Sequence, residues 1–219
     1  PHNADQIVDA IEWRINRTAI YKNAIMLLDL LVTNNWERPI YFAITTGDDA
    51  YFGLQDYFQL DGLVYRLVPI KTANRAGYTG RIEPEILYNN MIKKFQWGNI
   101  EKQGVYADET IRRMCQNYRN NFFRLADTFI EKGNKEKAIE VLDFAMKIMP
   151  EENFPYNFFI VPISESYYKA EGFEKGDTLL NRLLDIAEEN LNYYFSFKRN
   201  KAIQLNDRKE QELGIIQRI

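Results

Sequence analysis

The sequence predicts an α+β fold that is mostly helical, a small strand-helix-strand module followed by helical hairpins that stack as a short α-solenoid. Three observations predict it. Residues 1–106 mix strand-like and helix-like patterns, residues 107–219 read as helix after helix, and the second half contains a near-repeat of itself. The 219 residues are 46% apolar and 27% charged, the composition of a folded globular chain with one large or two small domains. The loop Gln96 to Tyr106 is the expected boundary.

In the first module Ile11, Trp13 and Ile15 alternate with Glu12 and Arg14, the period of a half-buried strand. Thr18 is placed to cap a helix whose apolar positions Ile20, Ala24, Leu27, Leu28 and Leu31 follow a three-and-four spacing, with Asn34 and Asn35 at its end. Pro39 opens the run Ile40 to Thr45, whose aromatic and β-branched content predicts a buried strand. Gly47 ends it, and Asp48 or Asp49 is expected to cap a short helix reaching Tyr57. Leu63 to Val68 makes the next strand, at a distance long enough for a parallel crossover. A further helix is expected from Pro84 to about Phe95.

In the second half Ile111, Cys115, Tyr118, Phe122, Leu125 and Phe129 share one helix face, and Gly133-Asn134 supplies a left-handed cap. Ala138, Leu142, Ala145 and Met149 line the next helix, which Pro150 terminates. Taken together, Phe122, Leu125, Ala126, Phe129, Gly133, Ala138, Leu142, Ala145 and Pro150 resemble the tetratricopeptide pattern. A weaker copy places Tyr167, Tyr168 and Gly172 before Leu180, Leu183, Leu184 and Ala187; its glycine lies 39 residues after Gly133, and Asp177 stands where a small residue is expected. Pro162 marks a kink or a late helix start, and a charged helix is expected beyond Lys198.

Composition excludes several functions. A net charge of −3 and a pI near 5.4 argue against nucleic-acid binding, which needs concentrated Lys and Arg. The most apolar run, Ala24 to Val32, is interrupted by Asp29 and is far shorter than the ~20 residues a bilayer requires. His2 is the single imidazole, so neither a zinc site nor a Ser-His-Asp relay can be assembled. Cys115 lies on an apolar face with no base to activate it and reads as a buried structural thiol. No phosphate-binding glycine motif is present, and the expectation is no cofactor, no metal and no catalytic residue. Pro1 in place of Met and the apolar residues at the C-terminus read as cuts in a longer protein.

Two residue sets stand out as binding candidates. Trp36, Asp48, Asp49, Tyr51 and Asp56 combine rings with carboxylates, a pairing suited to sugars, although a helix cap and core packing explain most of them. An ion pair of Glu37 with Arg38 would fix the corner beside Trp36. Arg112, Arg113, Asn117, Asn120, Arg124 and Tyr168 form a donor-rich polar side on the first helices of the two hairpins, where a solenoid would engage a partner.

The stretch Asn35 to Ala43, continued by Gly47-Asp48-Asp49, Gly53-Leu54 and Gly62 to Pro69, resembles the soluble C-terminal region of bacterial membrane proteins related to the protein O-mannosyltransferases of the glycosyltransferase-C superfamily. The resemblance implies a noncatalytic tail domain on the periplasmic side of the inner membrane. Its partners would be a protein, peptide or glycan acceptor and the membrane portion of its own parent chain, which in that family carries the catalytic acids. A free-standing tetratricopeptide scaffold that binds a peptide is the first alternative. A carbohydrate-active enzyme built on the acidic and aromatic cluster at 48–61 is the second.

Overall fold

The computed structural model describes residues 3–15, 18–72, 77–197 and 204–219. It is an α+β fold, mostly helical, with one small antiparallel sheet, and its backbone divides into two units, residues 1–93 and 94–219. The expectation placed on His2 falls outside the described residues, as does Lys198 itself, whereas the charged helix expected beyond it is present from Asn206 to Arg218.

Unit 1 is built on rings. Helix α1 (Lys22–Thr33) turns Ala24, Leu27 and Leu31 inward, and it is followed by strand β1 (Tyr41–Ala43) and the one-turn helix α2 (Asp48–Tyr51). A 3-10 turn (Gln55–Tyr57) leads directly into β2 (Phe58–Leu60), and β3 (Val64–Leu67) returns between β1 and β2. Both pairings are antiparallel, with Tyr41 opposite Arg66 and Phe58 opposite Leu67. The expected parallel crossover is therefore replaced by hairpin pairing: the helix over 48–57 stops early, and the fully buried trio Phe58, Gln59 and Leu60 forms a strand where the sequence suggested none. Phe58 sits at the centre of the core, its ring centroid 4.8 Å from Phe42, 5.2 Å from Tyr51 and 5.4 Å from Tyr65. Helix α3 (Pro84–Tyr88), with Pro84 in its first turn, runs on as a π-helical segment to Lys94.

Three local expectations are corrected here. Residues 11–15 form no strand; Glu12 instead donates its amide to the Tyr57 hydroxyl at 3.1 Å, and that hydroxyl lies 3.1 Å from the Glu12 carbonyl. The α1 cap position belongs to Tyr21, with no side-chain cap, so Thr18 and Ile20 precede the helix. Strand β1 is an edge strand with Tyr41 and Ala43 exposed, because side chains alternate along it and only Phe42 turns to the core.

Unit 2 begins its helical stack with α4 (Glu109–Glu131), capped by the Asp108 carboxylate on the Ile111 amide at 2.8 Å. Helix α5 (Lys135–Ile148) follows a tight turn, and a 3-10 turn (Phe158–Ile160) introduces α6 (Val161–Lys169), with Pro162 in its first turn. Helices α7 (Phe173–Phe195) and α8 (Asn206–Arg218) complete it. The turn between α4 and α5 closes with Gly133 at φ +78°, its amide donating to Ile130, while the Asn134 amide reaches the Phe129 carbonyl at 2.8 Å.

The second hairpin repeats this turn 38 residues later. Glu171 takes φ +65° and donates to Tyr168, and the Gly172 amide reaches the Tyr167 carbonyl at 2.8 Å. The left-handed residue is thus Glu171, one position before the glycine that marks the copy in the sequence. With that offset Ala138 corresponds to Gly176, Ala126 to Ser164, Leu125 to Ile163 and Phe129 to Tyr167, all of them buried. A Cβ added at Gly176 would lie 2.9 Å from the Tyr168 ring, so this glycine is the small residue of the second hairpin and Asp177 is the exposed neighbour after it.

Candidate functional site

Unit 1 contains a cleft of about 250 Å³. Its walls come from three stretches distant in sequence: Val8 to Trp13, the end of α1 with Asn34 and Trp36, and Ile40, Leu54, Leu67 and Pro69 around the sheet. The chain reaches this arrangement because Val8 donates its amide to the Pro69 carbonyl at 2.9 Å, tying the N-terminal segment to the end of β3.

The corner after α1 carries the most unusual backbone in the unit. Asn35 and Trp36 adopt φ of +45° and +61°, a region that non-glycine residues occupy at a cost of about 1–3 kcal/mol each. Asn34 holds the corner, its side-chain amide donating to the Arg38 carbonyl at 2.8 Å while its own carbonyl accepts the Glu37 amide at 2.9 Å. Among the described residues Glu37 and Arg38 form no ion pair, so a side-chain-to-backbone clasp does what the sequence assigned to a charge pair. The result presents Trp36 with 55% of its surface exposed at the cleft.

The sugar-binding candidates separate. Trp36 lines the cleft, but Asp48 and Asp49 lie in the first turn of α2, where their charge suits the helix dipole; the cap position is Gly47, with no side-chain bond. Tyr51 is buried in the core, its hydroxyl donating to the Ala43 carbonyl at 3.2 Å and its ring packed edge-on to Phe58, and burial pushes its phenol pKa up. It is a core residue and presents no ring to a ligand. Asp56 is half-buried, and its backbone carbonyl accepts from Thr72 at 2.8 Å. Sequence reasoning missed Asp9, Trp13 and Asn34 as cleft residues.

On α4 of unit 2, Arg112, Arg113 and Asn117 are exposed and Asn120 is half-buried, so these four form a surface strip. Arg124 is buried and belongs to the hairpin interior, a correction to its place in the expected surface. Tyr168 gives its hydroxyl to Asp177 in a short hydrogen bond, which raises its phenol pKa. Deeper in the unit, Arg119 is 2% exposed and donates to the carbonyls of Met149 at 3.1 Å and Phe154 at 2.7 Å, with its guanidinium 5.6 Å from the Tyr156 ring centre. Burial lowers its pKa to about 10. Cys115 is buried, and desolvation raises its thiol to about 11. Among the described residues no group of three His, Cys, Asp or Glu side chains is arranged to hold a metal ion, and no helix is long and apolar enough to cross a membrane.

Residues 1–86 match the family model described as TMEM260-associated domain 2. No curated protein and no solved structure matches the chain. The matched span covers the cleft and the sheet and ends inside α3.

Proposed function

We propose that this chain is a noncatalytic tail domain of a membrane glycosyltransferase related to the protein O-mannosyltransferases, held on the periplasmic side of the inner membrane, where it engages a protein or glycan acceptor. The observation that carries the reading is where the family match falls. Residues 1–86 nearly coincide with unit 1, and they contain the whole stretch from Asn35 to Pro69 whose residues resemble a related family. TMEM260 is itself read as a protein O-mannosyltransferase, and a domain associated with it is a natural companion of such a transferase. The positions of Asp48 and Asp49 at the start of α2 give both acids a structural role, which supports the noncatalytic part.

Fractionation of the source cells tests this. The native protein is expected in the membrane fraction at several times 25.9 kDa, with the tail cleaved by protease added to the periplasmic face. A free 25.9 kDa protein outside the membrane fraction would overturn it. That result would favour a free-standing tetratricopeptide-like scaffold, which the 38-residue recurrence of the hairpin supports independently. Sugar transfer or hydrolysis by the purified chain that disappears in Asp48→Asn/Asp49→Asn would instead establish an enzyme.

A further inference from the structure

Among the described residues the charge at the unit 1 cleft is of one sign. Among the described residues the Asp9 carboxylate, exposed at the rim, has no hydrogen-bond or ion-pair partner. Asn34 donates one amide N–H to the Arg38 carbonyl and keeps its side-chain oxygen as an acceptor. Beside them stands the exposed face of Trp36, an electron-rich ring held in place by a strained corner. The floor is aliphatic, formed by Val8, Leu31, Ile40, Leu54 and Leu67, and among the described residues no Lys, Arg or His lines it. The Trp13 N–H is closed off from solvent and cannot serve a ligand as a donor.

Two acceptors, one of them charged, beside an aromatic face call for a ligand that brings N–H donors and positive charge. The aliphatic floor calls for an apolar group next to that charge. A sugar would meet the floor with hydroxyls that find no partner there, at a desolvation cost. The volume, about 250 Å³, is below the roughly 300–1,000 Å³ of sites that enclose a whole small molecule, so the ligand seats one side chain and continues outside.

We propose that this cleft binds a short polypeptide segment that sets a large aliphatic side chain on the floor and an adjacent lysine or arginine against Asp9 and the Trp36 ring. The proposal deepens the acceptor reading by naming a basic, apolar polypeptide, and it rests on that reading only for the ligand's biological role. Binding is measured on the purified chain and membrane association on the native protein, so either can fail alone.

Fluorescence anisotropy with a labelled Gly-Ser-Leu-Lys-Ser-Gly peptide tests it, with the Leu-Glu counterpart and mannotriose as comparators. The Lys peptide is expected to bind, the Glu peptide to bind at least about tenfold more weakly, and added salt to weaken the complex. Asp9→Asn, at an exposed site that leaves folding intact, should lower affinity about tenfold. Trp36→Ala should weaken binding while Trp36→Phe retains most of it, and Asp48→Asn should change nothing. Absence of binding, equal binding of the Glu peptide, undiminished affinity in Asp9→Asn, or displacement of the peptide by mannotriose would each overturn the proposal.

Discussion

In unit 2 one hairpin occurs twice at an offset of 38 residues, whereas unit 1 has no internal copy and gathers its core from stretches that are distant in sequence and unlike one another. The hairpins rest on spacing: small residues at Ala126, Ala138, Ser164 and Gly176 let helices approach, and larger apolar residues fill the space beside them. Unit 1 rests on a cluster of four rings, Phe42, Tyr51, Phe58 and Tyr65, contributed by three strands and one short helix. A core of the first kind distributes its stability along the chain, while one of the second kind concentrates it in a few side chains.

The sharpest break in that comparison is expected at Phe58. Its ring touches the other three and is fully buried, so Phe58→Ala should cost about 3–5 kcal/mol in denaturant unfolding. A loss below about 1 kcal/mol would mean that the ring cluster does not organise unit 1.

Arg119 comes next, because it is where unit 2 departs from simple spacing. It anchors the loop after α5 by donating to Met149 and Phe154, and Arg119→Met would leave both buried carbonyls without a donor. With hydrogen bonds to charged groups worth about 1.5–3 kcal/mol each, the expected loss is about 3 kcal/mol. An unchanged unfolding midpoint would show that water replaces the guanidinium and that the loop needs no anchor.

A smaller effect tests whether the two hairpins are equivalent. Ala138→Leu should overpack α4 against α5 and cost about 1–3 kcal/mol, and a change under about 0.3 kcal/mol, the size usual for surface sites, would refute the register. Gly176→Ala should act in the same direction but more weakly, because the neighbour its Cβ meets is the Tyr168 ring, a side chain that can shift. If Gly176→Ala stabilises the chain while Ala138→Leu destabilises it, the second hairpin is not a copy of the first.

The same contrast explains what was legible. The helices of unit 2 could be read from period alone, down to the Gly133 turn and the late start at Pro162, because a helix writes its core face every three to four residues. The offset differs by one residue: the sequence marks the copy at Gly172, although Glu171 occupies the left-handed position and the glycine follows it. In unit 1 the alternation at Ile11 to Ile15 is real, but the segment packs on the core by its side chains and by the Glu12 bonds to the Tyr57 hydroxyl and joins neither edge of the sheet. The cleft was illegible for a related reason. Asp9, Asn34 and Leu67 become neighbours only through the Val8 to Pro69 bond, a pairing of residues 61 positions apart that no local pattern encodes, and through the left-handed corner at Asn35 and Trp36, which carries no glycine.

The smallest expected effect concerns a polar group that unit 1 buries in its sheet. Asp61 is 6% exposed and follows β2, its carboxylate accepting from the Gln59 amide at 2.8 Å while its backbone carbonyl accepts from Asn90 at 2.7 Å. Burial raises its pKa above the ordinary carboxylate value, and the Gln59 bond and the nearby Arg66 charge only partly offset this. The folded chain therefore holds the Asp61 proton more tightly than the unfolded chain does. The stability this contributes is fully present below the unfolded pKa of about 4 and is lost as pH rises through the raised folded value. Asp61→Asn keeps an oxygen that can accept from Gln59 but removes the charge, so the variant should gain on the parent chain as pH is taken from 4 to 7. Denaturant midpoints of both proteins at the two pH values measure it. A difference between them that stays constant would mean that Gln59 and Arg66 cancel the cost of burial, and that unit 1 carries its one buried carboxylate among the described residues without penalty.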